Sequence, residues 1–259
     1  PFGIPLAPEI KPGADELTEP STTVVVLEGC VQQAATPSVN EALRTLLLSQ
    51  GVAALSIQGE ACCGALNYHL GEHDQGRQDM RRLLHQIRDQ VPGDALVVSS
   101  ASGCGVTVKD YAKYFSRSDP DYGLAIEISR RAIDAVELLR RYTWKVKPLR
   151  IAIHNPCTLT PGQGLDGAVG ELLSGAGFEL TIGAPATLAC CGSAGTYSVL
   201  QPTLSKQLRD KMLSGLQRDT PDVIVTANIG CHLHLAAGSS IPVMHWIEIL
   251  CHQWQLQNT

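Results

Sequence analysis

The chain has 259 residues, 44% apolar and 17% charged, with a formal net charge of −5; this is ordinary globular composition, with length for one large domain or two small ones. The basic residues are scattered, in clusters no longer than Arg81-Arg82 and Arg140-Arg141, so no footprint for nucleic acid is present and none is expected as a partner. No apolar run approaches the roughly 20 residues that span a bilayer, and the amino terminus lacks a basic-then-apolar signal pattern, so a cytoplasmic location is expected.

In chain order, Pro5, Pro8, Pro12 and Pro20 in a mixed polar context mark residues 1–20 as a linker. A first repeat is expected over 21–146. It opens with a β-branched strand at 22–27 that runs into Gly29-Cys30. A helix over 39–50 follows, with Leu43, Leu46 and Leu47 on one face and Gly51 as its stop. A strand at 52–57 leads to Cys62-Cys63-Gly64. A helix over 74–90 carries Met80, Leu83, Leu84 and Ile87 before Pro92, and a strand at 94–99 precedes Gly103-Cys104. A second repeat, 147–259, takes the same order: an apolar run into Pro156-Cys157, a helix near 165–175, Cys190-Cys191-Gly192, a helix near 201–217, and the run Asp222 to Thr226 before Gly230-Cys231.

Adding 127 or 128 to Cys30, Cys62, Cys63 and Cys104 gives Cys157, Cys190, Cys191 and Cys231, which is an internal duplication. Strands alternating with helices imply right-handed crossovers and parallel sheets. The expected fold is therefore α/β, two pseudo-symmetric Rossmann-like repeats. Residues just after parallel strands gather at one carboxyl edge, so each repeat brings four thiols to one point.

A chain of this size needs no covalent staples, so the cysteines call for another explanation. Four converging thiolates suit an iron-sulfur cluster or tetrahedral zinc. Disulfides suit the pattern less, because vicinal cysteines bridge each other only with strain. Zinc sites favour close C-x-x-C pairs, whereas these ligands are mostly long-range, which favours a cluster and leaves zinc as an alternative at one site. Gly64 and Gly192 are candidates to turn the backbone around the bound group and aim amides at sulfur. His234, in Cys231-His232-Leu233-His234, has C-x-x-H spacing and is a further candidate; His69, His154, His232 and His245 read individually as structural. Cys251 has no repeat counterpart and reads as a packed core thiol. No paired carboxylates, nucleophile arrangement or phosphate loop points to an independent hydrolase or nucleotide enzyme.

These motifs resemble the cysteine-rich, or CCG, domain family, and within it the glycolate oxidase iron-sulfur subunits. The likeness rests on Glu28-Gly29-Cys30-Val31-Gln32, Cys62-Cys63-Gly64-Ala65 and Ser100-Ala101-Ser102-Gly103-Cys104-Gly105 in the first half. In the second it rests on Pro156-Cys157-Thr158-Leu159, Cys190-Cys191-Gly192-Ser193 and Asn228-Ile229-Gly230-Cys231. The resemblance implies a non-autonomous subunit of an oxidoreductase, with one or two [4Fe-4S] clusters on the eight cysteines. Such a subunit would relay electrons from a flavoprotein dehydrogenase that oxidises a 2-hydroxy acid toward a membrane acceptor, associating with the membrane peripherally through its complex. It also implies a ferredoxin-like region or subunit; no C-x-x-C-x-x-C run occurs here, so the chain is expected to be a carboxyl-terminal piece or separately encoded module. Relatives of the heterodisulfide reductase type carry a fifth cysteine per motif, where this chain has Thr107 and His234. A zinc-binding scaffold and a thiol-disulfide reductase are the competing functions.

Overall fold

The computed structural model describes residues 23–181 and 190–258; the expected linker 1–20 lies outside them. The first sheet contains β1 (Thr23–Leu27), β2 (Ala53–Leu55), β3 (Leu96–Ser99) and β4 (Ala132–Asp134), in the order β2-β1-β3-β4. The second contains β5 (Arg150–Ile153), β6 (Glu179–Leu180), β7 (Val223–Thr226) and β8 (Val243–His245), in the order β6-β5-β7-β8. Every pairing in both sheets is parallel. The two halves thus share one topology, and the α/β duplication expected from the cysteine spacing is present.

The strands form where β-branched residues fit a sheet buried on both faces, and their period of two sorts them between two cores. Val24 and Val26 of β1, Ile151 of β5, and Val223 and Val225 of β7 point into one core shared by the repeats. Val25 and Leu27 point outward under helices His73–Gln90, Ser102–Lys109 and Tyr122–Arg131. Ala152 and Ile224 do the same under helices Pro202–Leu216 and Ile229–Ala236.

Four helices fill the shared core in pseudo-symmetric pairs. Ser38–Ser49 packs on Trp246–Asn258, and Ala135–Leu139 packs on Ala168–Ala176. The leucines anticipated on the first of these, Leu43, Leu46 and Leu47, are wholly buried here with Trp246, Leu250 and Cys251.

Some elements depart from the sequence reading. β4 and β8 were not anticipated, because three residues are too few to show alternation. The cysteines just beyond the third strands lie where expected along the chain, but in the first turns of helices Ser102–Lys109 and Ile229–Ala236, which begin within three residues of the strand ends.

Candidate metal centre

In the first repeat the carboxyl ends of β1, β2 and β3 present Cys30, Cys62-Cys63 and Cys104. Cys30 opens helix Cys30–Ala35 after Gly29, whose φ of +71° turns the chain there. The Sγ atoms of Cys30 and Cys62 are 3.4 Å apart, and a Cβ on Gly29 would lie 3.7 Å from Cys104 Sγ. Cys63 contacts both Cys62 and Cys104, so the four sulfurs form a continuous cluster contributed by two helix starts and the CCG turn. Cys30 is exposed and Cys63 buried. Cys62 is the acceptor of the set: donation from Cys30, from Cys63 and from the Gly64 amide holds its thiol far below the usual value, while Cys30 and Cys63 are pushed up. Metal binding would displace the protons that the thiol donors share with this thiolate, leaving the sulfurs as ligands.

The second set repeats this. Cys190 contacts Cys157 and Cys191, Cys191 contacts Cys231, and Cys190 is the depressed thiol. The Gly64 and Gly192 amides donate to Cys62 Sγ at 3.5 Å and Cys190 Sγ at 3.3 Å.

Both glycines are demanded by their surroundings. Gly64 has φ +81° and Gly192 φ +91°, and an added Cβ would sit 2.5 Å from the carbonyl oxygen of Gly76 or of Ser205 respectively. Each CCG turn is therefore pressed against the helix behind it. His234 takes part in that contact: its Nε2 lies 3.1 Å from Ser205 Oγ, which donates to the Gly192 carbonyl at 2.7 Å. Thr107 donates to the Gly103 carbonyl at 3.0 Å.

Three residues beside the sulfurs were not singled out as site residues. His154 is 3% exposed; its Nδ1 lies 2.9 Å from Thr226 Oγ1, and its Nε2 has no partner among the described residues. This imidazole and the sulfurs of Cys191 and Cys231 lie within 4.8 Å of one another. Burial lowers its pKa to about 4, so it is neutral at pH 7. Asn228 Nδ2 is 3.7 Å from Cys231 Sγ. The Glu60 carboxylate accepts from the Glu28 and Gly29 amides at 2.8 and 3.0 Å, between the Cys30 and Cys62 loops. The available signal was the repeat alignment, which sets His154 against Leu27 and Asn228 against Ala101.

The two sets flank the junction between repeats. Ser102 Oγ is 2.7 Å from Thr158 Oγ1 and its amide donates to the Ala227 carbonyl at 3.0 Å; the two CCG loops also meet, with Leu66 against Gly195. Cys251 lies in the shared core, away from both sets.

The donor chemistry fits a soft metal group: two sets of four sulfurs, each with an amide already aimed at a sulfur, and in the second a buried nitrogen lacking a partner. Fold and site together define a duplicated parallel α/β protein with one four-thiol centre per repeat. The profile of the cysteine-rich domain (CCG) matches residues 24–109 and 151–236, and the chain belongs to that family.

Among curated relatives, the chain is 38% identical to the glycolate oxidase iron-sulfur subunit of Escherichia coli (strain K12), over 88% of this chain and 57% of that protein. It therefore spans little more than half the length of that relative. It is 24% identical to lactate utilization protein A of Exiguobacterium sp., over 88% of this chain and 96% of that one. Among solved structures, a hypothetical protein from Helicobacter pylori superposes with a TM-score of 0.58 at 10% identity, covering 91% of this chain and 49% of that one, a likeness of fold alone.

Proposed function

We propose that this chain is the electron-transfer portion of a 2-hydroxy acid oxidising complex, with glycolate the first substrate to test, and that each cysteine set holds a [4Fe-4S] cluster. Cys30, Cys62, Cys63 and Cys104 would hold one, and Cys157, Cys190, Cys191 and Cys231 the other. The observation that carries this reading is the convergence of two four-sulfur sets in a chain similar to a glycolate oxidase iron-sulfur subunit. When bound, such clusters supply one-electron storage at potentials tuned by charge and hydrogen bonds around the sulfurs.

The protein's residues provide the housing. Gly64 and Gly192 turn the backbone and direct amides at sulfur, with His234 and Ser205 bracing the second turn. Cys63, Cys191 and Cys231 are buried while Cys30 and Cys157 are exposed, so each site has a dry side and an open side where a partner could approach. Oxidation of the hydroxy acid is assigned to a flavoprotein subunit, with a ferredoxin-like region or subunit as neighbour. The repeats are proposed to divide near residues 146 and 147. No helix among the described residues is long and apolar enough to cross a membrane; contact with a membrane at the cytoplasmic face is proposed to be peripheral, through the complex.

The cluster reading is tested by purifying the chain without oxygen and assaying iron, acid-labile sulfide and visible absorbance before and after dithionite. About eight irons and eight sulfides per chain, with absorbance that bleaches, is the expected result. Absence of iron and sulfide refutes it. One observation favours a second reading, zinc in the second set: His154, Cys191 and Cys231 form a mixed nitrogen and sulfur group. One zinc and about four irons per chain would select it.

A further inference from the structure

Registering the repeats on their cysteines pairs Leu27 with His154, Ala101 with Asn228, and Glu60 with Leu188. Each difference changes the charge or polarity beside a sulfur set, and all three act in the same direction.

In the second repeat, the residue directly after β5 is the imidazole His154. Thr226 Oγ1 has no other acceptor among the described residues, so its hydroxyl donates to His154 Nδ1 and the ring proton sits on Nε2. That nitrogen is buried and has no partner among the described residues, and the imidazole is grouped with the sulfurs of Cys191 and Cys231. A buried donor left unmet costs stability, and a sulfur-bearing occupant of the second set would satisfy it. In the first repeat the same position is Leu27, buried in an apolar cluster. Asn228 adds a second donor at Cys231, where the first repeat has the methyl of Ala101.

The third difference is a charge on the opposite side of the balance. Glu60 lies between the Cys30 and Cys62 loops, where its carboxylate accepts from the Glu28 and Gly29 amides, so the first set gains a carboxylate beside it. The matching residue, Leu188, lies outside the described residues, and there the contrast is one of sequence alone. Arg82, a cation that acts on Cys62, is paired with Asp79 and its side chain is 63% exposed, so solvent and its own partner screen it.

We infer that the duplication has produced two electronically unequal sites: donors from His154 and Asn228 set the second at a higher reduction potential than the first, which Glu60 biases downward. This rests on the cluster reading above. Donors at sulfur stabilise the more negative reduced state, and a nearby anion opposes it. One electron leaving the first site and entering the second is then downhill, with no proton moved. His154 and Asn228 act as positioning residues that tune sulfur.

The test is anaerobic potentiometric titration of the chain with dithionite, each site read alone by EPR in Cys104→Ser, which leaves the second, and Cys231→Ser, which leaves the first. Iron analysis comes first, and failure of the unsubstituted chain to take up iron and sulfide defeats the cluster reading itself. With iron present, the site remaining in Cys104→Ser is expected to reduce at the higher potential. His154→Leu should shift that potential down with iron content unchanged, His154→Gln should restore much of the shift by keeping an N–H, and Asn228→Ala should move it the same way by less. Equal potentials at the two sites overturn the inference, as do unmoved potentials in His154→Leu and Asn228→Ala at full iron content. Loss of iron from the second set in His154→Leu, with folding intact by circular dichroism, makes the imidazole a ligand and overturns its assignment as a donor. If His154→Leu does not fold, Asn228→Ala decides alone.

Discussion

A methyl group at Gly64 or Gly192 has nowhere to go: the backbone is left-handed at both, and the carbonyl of the helix behind stands 2.5 Å from where the Cβ would be. Left-handed strain on a non-glycine residue costs roughly 1–3 kcal/mol, and the clash adds to it. Gly64→Ala and Gly192→Ala are each expected to lower stability by at least that much in urea titrations of the metal-free chain, and to empty the adjacent site while sparing the other. Loss from both sites in either variant would show that the sites do not form independently. At this scale much was legible, because cysteines that follow apolar runs twice at one spacing carry their own geometry. The part of His154 was not. A histidine three residues before a cysteine looks like any other until the fold shows its Nδ1 engaged by Thr226, its Nε2 buried without a partner among the described residues, and its ring grouped with two sulfurs.

Helices between the sheets hold the repeats in register, so their packing belongs to the stability of both. Leu46 and Leu250 are fully buried in the shared core, and truncating a buried leucine to alanine costs about 2–5 kcal/mol. Leu46→Ala and Leu250→Ala should each lower the unfolding free energy by that amount in a single transition. Two separated transitions would mean that the repeats unfold independently. Corresponding helices also start alike. Asp134 and Glu137 form a capping box ahead of Ala135–Leu139. At the equivalent place the His245 amide donates to Glu248 at 3.1 Å while His245 Nδ1 accepts from the Ile247 amide at 3.3 Å. The long amphipathic helices were readable from leucine spacing; β4 and β8 were not, since their position is decided by pairing with β3 and β7 rather than by their own three residues.

Across the whole molecule, His245 ties one repeat to the other. It is fully buried, and its Nε2 donates to the Ser100 carbonyl at 3.0 Å across the junction. Burial lowers its pKa from 6.5 to about 3. The folded state therefore binds this proton less readily than the unfolded chain: the stabilisation is complete above pH 6.5 and is lost as pH falls toward 3. Between pH 7 and pH 5 the loss from this group is about 2 kcal/mol. His245→Asn, which cannot take up the proton, should lose correspondingly less over that interval in urea unfolding of the metal-free chain, and an identical pH response in both proteins would contradict the role given to the ring.

The duplication is also what makes the central claim, one four-sulfur centre per repeat, testable site by site. Anaerobic iron and sulfide counts on Cys104→Ser, Cys231→Ser and Cys251→Ser beside the unsubstituted chain test it most directly. About half the iron should be lost from each of the first two and none from the third. Equal counts in all three variants, or loss of iron from Cys251→Ser, would contradict it.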